Sequence, residues 1–145
     1  KKFIKFNKSV FQYHIGLMHH IAGMTVDREY ASTDLLGIYR GAMAEQFVGQ
    51  EMTISQEGEL YYWSRRARSS TSEVDYLAVV DGEVRPVEVK SGPAGRLRSM
   101  HIFLETYKHC PGGMIFSTRP YADLPEQGLT FIPLYFAYSA TGGKA

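Results

Sequence analysis

The dipeptide Asp81-Gly82 lies between two runs rich in β-branched and aromatic residues, and it constrains the fold more than any other feature. Asp-Gly supplies the positive φ angles of a two-residue type I′ turn, so the two runs are predicted to pair as an antiparallel hairpin. Side chains two residues apart in a strand share a face, which places Glu88 beside Lys90. Counting outward from the turn brings Asp75 almost opposite them. The hairpin is therefore predicted to carry three ionisable groups in one patch.

This patch has two interpretations. Neighbouring carboxylates such as Asp75 and Glu88 repel each other unless a cation lies between them, and Mg²⁺ or Mn²⁺ would suit their oxygen atoms. Lys90 could then orient a water molecule and stabilise charge that develops on a phosphate. In the other interpretation Asp75 only flanks a turn, while Glu88 and Lys90 form an ordinary pair on a solvated face of the sheet.

Composition limits the function classes. The chain has 145 residues, 44% of them hydrophobic, which is enough for one globular domain with a core. With 16 basic and 15 acidic residues the net charge is +1, so any argument for a nucleic-acid partner must be local. The single cysteine, Cys110, excludes an internal disulfide and a cysteine-rich zinc site. A chain without disulfides is typical of the cytoplasm, where we expect this protein. No apolar run is long enough to cross a bilayer, so we expect no membrane partner.

We expect one domain over residues 1–145. Residues 1–33 are predicted to form an extension with a strand at 2–6 and a helix at 8–18, residues 34–139 the core, and residues 140–145 a tail. Because the chain does not begin with methionine, we expect it to be a fragment of a longer polypeptide.

A long helix is predicted from residue 35 to 54, where apolar residues recur with the 3.6-residue period. Glu45 lies at the margin of this apolar stripe, and Glu51 lies nearer its centre. A carboxylate at such a border is either a surface residue or a functional group directed into a cleft. The period alone favours the surface interpretation.

A basic loop is predicted after a strand at residues 59–63. Residues 64–72 contain Arg65, Arg66 and Arg68 together with five hydroxyl residues. Arginines and hydroxyls beside carboxylates are suited to contacts with a phosphate backbone. The alternative is a solvated loop without a ligand.

The remaining elements are predicted from breakers and periodicity. Pro86 should cause a bulge or a break in its strand and so redirect Glu88. A helix over residues 96–109 is predicted to connect this strand to a parallel strand at 114–118. The rest of the chain is expected to form a surface turn at 123–128, a strand at 129–132 and a closing helix that begins at Pro133.

The order of these elements resembles the core of the PD-(D/E)XK, or restriction-endonuclease-like, nucleases. The residues that carry the resemblance are Glu45 on the helix, Asp75 in Glu73-Val74-Asp75-Tyr76, and the segment Glu88-Val89-Lys90. The resemblance implies an α/β fold, an α+β sandwich in which helices flank a mixed β-sheet.

A narrower resemblance covers most of the chain. The chain is similar to the uncharacterised nuclease-like domain at the C-terminus of bacterial and archaeal AAA-type ATPases. The similar segments are Leu60-Tyr61-Tyr62-Trp63, Ala67-Arg68-Ser69-Ser70, Glu73-Val74-Asp75-Tyr76, Pro86-Val87-Glu88-Val89-Lys90-Ser91-Gly92 and Ile132-Pro133-Leu134-Tyr135. No phosphate-binding loop occurs in this sequence, so the resemblance implies an ATPase module upstream in the same polypeptide.

The resemblance also implies metal-dependent hydrolysis of phosphodiester bonds, with DNA as a more favoured substrate than RNA. Asp75, Glu88 and the backbone carbonyl of Val89 would hold Mg²⁺ or Mn²⁺. Glu45 would complete the site or support a second ion, and Lys90 would position water and neutralise the transition state.

Several alternatives stay open from the sequence. Glu73 is a candidate acid just outside the metal site, and Glu51 could replace Glu45. The fold could serve as a catalytically silent module that binds nucleic acid or a protein partner. Exposed aromatic residues, among ten tyrosines, could instead form an oligomer interface.

Overall fold

A computed structural model of the chain describes residues 2–5, 34–57, 59–67, 70–92 and 97–142. Short 3₁₀ helices cover residues 125–127 and 134–136. The helices and strands of the described residues follow in this order: β1 Lys2–Lys5, α1 Asp34–Ser55, β2 Tyr61–Ala67, β3 Ser70–Val80, β4 Glu83–Lys90, α2 Arg98–Thr106, β5 Gly113–Ser117, β6 Ala122–Leu124, β7 Leu129–Pro133 and α3 Ala137–Thr141.

All strands of the described part of the chain belong to one mixed sheet in the order β1-β2-β3-β4-β5-β7-β6. β4 pairs with β5, and β5 with β7, in parallel, while the other neighbours are antiparallel. Lys90 pairs with Ser117 and Ser117 with Pro133, so the last residues of these three strands lie side by side. We call this rim of the sheet, defined by Lys90, Ser117 and Pro133, the carboxyl edge. The predicted parallel strand after the α2 crossover is confirmed.

The predicted hairpin is also confirmed. Asp81 and Gly82 have φ angles of 52° and 80°, and they connect Val80 directly to its partner Glu83. Positive φ at both central residues defines a type I′ turn, whose twist matches that of the flanking strands. The turn therefore fixes the register of β3 against β4, on which the position of Asp75 depends.

Helices cover both faces of the sheet. α1 and α3 bury one face with Val48, Met52 and Ala137, against strand residues that include Val87 and Phe116. On the other face α2 inserts the side chains of Met100 and Phe103. Each large apolar side chain buried in this way contributes about 1.5–3 kcal/mol. The result is the predicted α/β class, a mixed sheet between two layers of helices.

The aromatic packing under α2 is specific. The rings of Trp63 and Phe103 meet edge to face with 5.4 Å between centroids, and Phe103 lies 4.6 Å from the ring of Tyr107. The indole N–H of Trp63 donates to the hydroxyl of Tyr107 over 3.3 Å. Together with Val74 of β3, these rings attach α2 to β2 and β3. They hold α2 against the face of the sheet opposite to α1.

The basic loop predicted at residues 64–72 is wrong. β2 continues to Ala67 and β3 begins at Ser70, so Arg65 pairs with Ser72 and Arg66 with Thr71. The polar composition suggested a loop, but backbone pairing between the two strands determines the local structure here. Propensity is a weak guide where a hairpin supplies ladder hydrogen bonds.

The break predicted at Pro86 is also wrong, because β4 is continuous and Pro86 pairs with Leu77. Pairs next to a two-residue turn are hydrogen-bonded, and hydrogen-bonded and non-hydrogen-bonded pairs then alternate. By this count the Leu77–Pro86 pair is non-hydrogen-bonded, so β3 needs no N–H from Pro86. The irregularity lies in β3 instead, where an extra residue falls between the pairs Tyr61–Leu77 and Trp63–Val74.

The other boundaries differ in detail. α2 is shorter than predicted, and the expected surface turn at 123–128 includes the last two residues of β6 and the 3₁₀ helix at 125–127. Pro133 ends β7 rather than opening a helix, and α3 includes residues 140 and 141 of the expected tail. The N-terminal strand is confirmed at Lys2–Lys5, while the helix predicted at residues 8–18 lies outside the described residues. Among the helices that the structure describes, none has the length and apolar character of a membrane span.

Candidate active site

The site begins where β3 separates from β4. Tyr76–Val87 is the last regular pair of these strands, and the β3 bulge falls at Asp75 and Tyr76. By the alternation of pairs, the N–H of Val89 points toward β3, where a backbone carbonyl would normally accept it. Here Oδ2 of Asp75 accepts this hydrogen bond over 2.7 Å. The Asp75 carboxylate therefore replaces a backbone acceptor and is fixed beside β4.

Glu88 and Lys90 extend from the face of β4 opposite to Val87 and Val89, as predicted. Glu88 is only 7% exposed, and Nζ of Lys90 lies 2.5 Å from its Oε1 atom. The second oxygen, Oε2, is buried and has no hydrogen-bond partner among the described residues. A buried acceptor without a partner costs about 1–3 kcal/mol in folding free energy, and more when it is charged. The Oε2 atom of Glu88 therefore destabilises the metal-free fold.

The acidic groups raise one another's pKa values. Burial, and then the charge of Asp75, raise the pKa of Glu88 to about 7, although the hydrogen bond from Lys90 acts in the opposite direction. Burial also raises the pKa of Asp75, against the effects of the Val89 N–H and of Lys90. A desolvated carboxylate with another beside it favours its neutral form unless a cation is present.

Glu45 approaches this cluster from α1. Burial of part of its carboxylate, followed by the negative charge of Asp75, raises the pKa of Glu45. The hydroxyl of Tyr76 donates to the backbone carbonyl of Glu45 over 2.9 Å. Since Tyr76 directly follows Asp75, one short segment of β3 contributes an acid and also attaches the helix that carries the second acid.

Replacing Tyr76 with Phe is expected to lower the free energy of unfolding by about 1 kcal/mol, because the hydrogen bond to the Glu45 carbonyl is lost. Denaturant unfolding of both proteins measures this difference. Tyr138→Phe, at an exposed tyrosine of α3, is the matched control and should leave the free energy unchanged. Equal effects of the two substitutions would contradict a positioning role for Tyr76.

The other predicted acids have different positions. The charge of Glu73 contributes to the raised pKa values of Glu45 and Asp75, so Glu73 lies close enough to act on the site although it is exposed. Glu51 follows Glu45 by six residues on α1, which is about 9 Å along the helix. The charge of Glu45 contributes to the raised pKa of Glu88, so Glu45 is the acid of α1 that acts on the site.

The arginines lie on the ribbon formed by β2 and β3. Arg65 and Arg66 are exposed near the end of β2, three to four residues beyond the site along this ribbon. As neighbours in a strand they point to opposite faces, so only one of them can face a given ligand. Arg68 lies outside the described residues.

The donor atoms fit a magnesium-type ion. No group of three or more His, Cys, Asp or Glu side chains is arranged to hold a metal in the described ranges. However, Asp75 and Glu88 provide two carboxylates, and the carbonyl of Val89 points to the same side of β4 as its N–H. Mg²⁺ and Mn²⁺ prefer oxygen ligands, and Mg²⁺ commonly keeps several water ligands, so two carboxylates and a carbonyl suffice. The unpartnered Oε2 of Glu88 is an available ligand atom.

Sequence reasoning assigned no positioning role to Tyr76 and did not single out the consecutive aromatic residues that follow β7. Tyr135 and Phe136 are exposed and directly follow the carboxyl edge, with ring centroids 4.8 Å apart. Two consecutive exposed aromatic residues just after a buried strand were the available signal.

The fold and the site together define a class: an α/β sandwich protein with paired carboxylates and a lysine where two central strands separate. Within it, residues 40–136 match the model of the family described as domain of unknown function DUF4143. This match covers about two thirds of the chain, which therefore belongs to that family. No curated protein and no solved structure matches the chain.

Proposed function

We propose that this chain is a metal-dependent nuclease domain that hydrolyses phosphodiester bonds, with DNA as its favoured substrate. The proposal assigns it to the restriction-endonuclease-like nucleases and to the C-terminal end of an AAA-type ATP-binding protein. The observation that carries the proposal is the buried carboxylate of Glu88 beside Asp75. Lys90 holds one of its oxygens, and the other has no hydrogen-bond partner in the described part of the chain.

Asp75, Glu88 and the carbonyl of Val89 are the proposed ligands of Mg²⁺ or Mn²⁺. Such an ion would supply polarisation of a phosphate oxygen and a more acidic water molecule. Asp75 is held in place for this role by the N–H of Val89. Glu88 must lose its proton to act as a ligand, so its pKa of about 7 makes ion binding weaker in acid and stronger above neutral pH.

Glu45 and Lys90 act on the substrate side of the site. Glu45 is exposed and lies close enough to Asp75 for their charges to interact, so it can support a second ion or accept a proton from water. The ammonium group of Lys90 offers a positive charge and N–H donors to a phosphate oxygen as negative charge develops there. Of Arg65 and Arg66, the one that shares a face of the β2–β3 ribbon with the substrate contributes a contact to a backbone phosphate.

Lys90→Ala is expected to retain Mn²⁺ binding and to reduce cleavage of a mixed DNA substrate at least about a hundredfold, since a charge that stabilises the transition state is removed. Binding is measured by calorimetry and cleavage by gel electrophoresis with the same ion. Lys108→Ala, at an exposed lysine just after α2, is the matched control and should cut normally. Normal cleavage by Lys90→Ala would show that the assigned role of Lys90 is wrong.

A second candidate function is a catalytically silent module that binds nucleic acid or a protein partner for the ATPase. The observation in its favour is the ion pair of Glu88 and Lys90, which gives the buried acid a positive partner without any metal. A folded wild-type chain that binds neither Mn²⁺ nor Mg²⁺ would favour this function over hydrolysis.

A further inference from the structure

Three exposed aromatic side chains lie close to the carboxyl edge. Tyr121 is 65% exposed, Tyr135 74% and Phe136 48%. We call these three residues the aromatic cluster. Tyrosine and phenylalanine bury 150–250 Å² each when they pack, so three exposed rings leave a large apolar area in solvent.

The register of the sheet places this cluster near the candidate active site. Lys90, Ser117 and Pro133 lie on neighbouring strands, so Pro133 is about 10 Å from Lys90 across two strand spacings. Tyr135 follows Pro133 by two residues. Tyr121 immediately precedes Ala122, the first residue of β6 and the partner of Phe131 on β7. The segment that follows β5 and the segment that follows β7 therefore both start from the carboxyl edge, where Lys90 also lies.

A cation accompanies the rings. Arg119 follows β5 at the same edge and is exposed, and its Cζ atom lies 6.0 Å from the ring centroid of Phe131. Its backbone N–H donates to Oγ of Ser117 over 3.2 Å, which attaches the start of this connection to the strand end. The connection after β5 therefore carries an exposed guanidinium group, and exposed aromatic rings lie on segments that leave the same edge. Aromatic rings and arginines are the groups that contact unpaired bases and phosphates.

The exposed aromatic rings are better suited to single-stranded than to double-stranded nucleic acid. Bases inside a duplex stack on each other, whereas an unpaired base has a free π-face for an aromatic side chain. We propose that the site takes nucleic acid as a single strand. Unpaired bases stack on the aromatic cluster, above all on Tyr135, and a phosphate lies near Arg119. This inference specifies the substrate and rests on the proposed function for the chemistry that follows binding.

The test is fluorescence anisotropy of a labelled oligothymidylate and of a labelled duplex of equal length, both in EDTA so that no cleavage occurs. Tyr135→Ala is expected to weaken binding of the single strand about tenfold and to change duplex binding much less. Tyr135→Phe should restore affinity because it keeps the aromatic face. Tyr61→Ala, at an exposed tyrosine at the start of β2, is the matched control and should bind both probes like the wild type.

Unchanged single-strand affinity in Tyr135→Ala, or an equal loss for both probes, would overturn the inference. A change in sedimentation without a change in oligothymidylate binding would assign the cluster to contacts between copies of the chain, which also overturns the inference.

The proposal of hydrolysis and the proposal of single-strand stacking can fail separately. Single-strand binding that depends on Tyr135, without cleavage in Mn²⁺, supports the stacking surface and rejects hydrolysis. Cleavage that depends on Lys90 but not on Tyr135 supports hydrolysis and rejects the stacking surface.

Discussion

Asp75→Asn is expected to abolish binding of Mn²⁺ and to leave the fold intact. The amide oxygen of asparagine can still accept the hydrogen bond from the N–H of Val89, which now goes to Oδ2 of Asp75 over 2.7 Å. The substitution removes the negative charge, so the cation loses one of the two carboxylates proposed to hold it. Calorimetric titration with Mn²⁺ measures the loss, and circular dichroism reports the fold.

Asp75→Ala separates the two roles of this side chain. It removes the charge and also leaves the Val89 N–H without its acceptor, so we expect a further loss of about 1–3 kcal/mol in the free energy of unfolding. Asp123→Asn, at an exposed strand carboxylate of β6, is the control for removal of a charge and should bind Mn²⁺ normally. Retained Mn²⁺ binding in Asp75→Asn would exclude Asp75 as a ligand.

Glu88→Gln is expected to stabilise the metal-free protein near pH 8 by an amount on the order of 2 kcal/mol, and to have little effect near pH 4. Burial and the charge of Asp75 raise the pKa of Glu88 from 4.5 to about 7 in the folded state. A raised carboxyl pKa means that the folded protein binds more protons than the unfolded chain between these values. The stability of the wild type therefore falls as pH rises from about 4.5 to about 7, and a neutral amide removes that loss.

Urea unfolding in EDTA at several pH values measures this effect. Glu83→Gln, at an exposed glutamate at the start of the same strand, is the matched control and should show no comparable gain near pH 8. Added Mn²⁺ should raise the melting temperature of the wild type at pH 8 and not that of Glu88→Gln, because a ligand of the folded state stabilises it by mass action. A pH-independent difference between wild type and variant would mean that Glu88 titrates normally.

The sequence was sufficient for the parts of the site that depend on local rules. The Asp81-Gly82 turn determines the register, and the two-residue period of a strand places Glu88 and Lys90 on one face. The helical period predicted α1 and the position of Glu45 at its apolar margin. These rules need no knowledge of distant contacts, and the structure follows them.

The missed features depend on contacts between elements distant in the chain. The strand around Arg65 and Arg66 is polar, and only pairing with β3 makes it a strand. The bulge at Asp75 requires that β2 and β4 impose different registers on the same segment, which no single stretch of sequence encodes. The burial of Glu88 likewise depends on elements outside the hairpin, such as β5, where Ile115 is its partner. The predicted roles of these residues in metal binding and catalysis stay predictions.

The parallel strands β4, β5 and β7 all end at one rim, and each continues into a connecting segment there. The connection that follows β5, from Thr118 to Tyr121, is exposed, while Ser117, the strand end that supports it, is buried. Changes in the length or composition of such connections disturb few core contacts, because loops tolerate insertions that strands do not. Changes confined to the connection after β5 are therefore expected to leave Asp75, Glu88 and Lys90 in place, because these residues lie on β3 and β4.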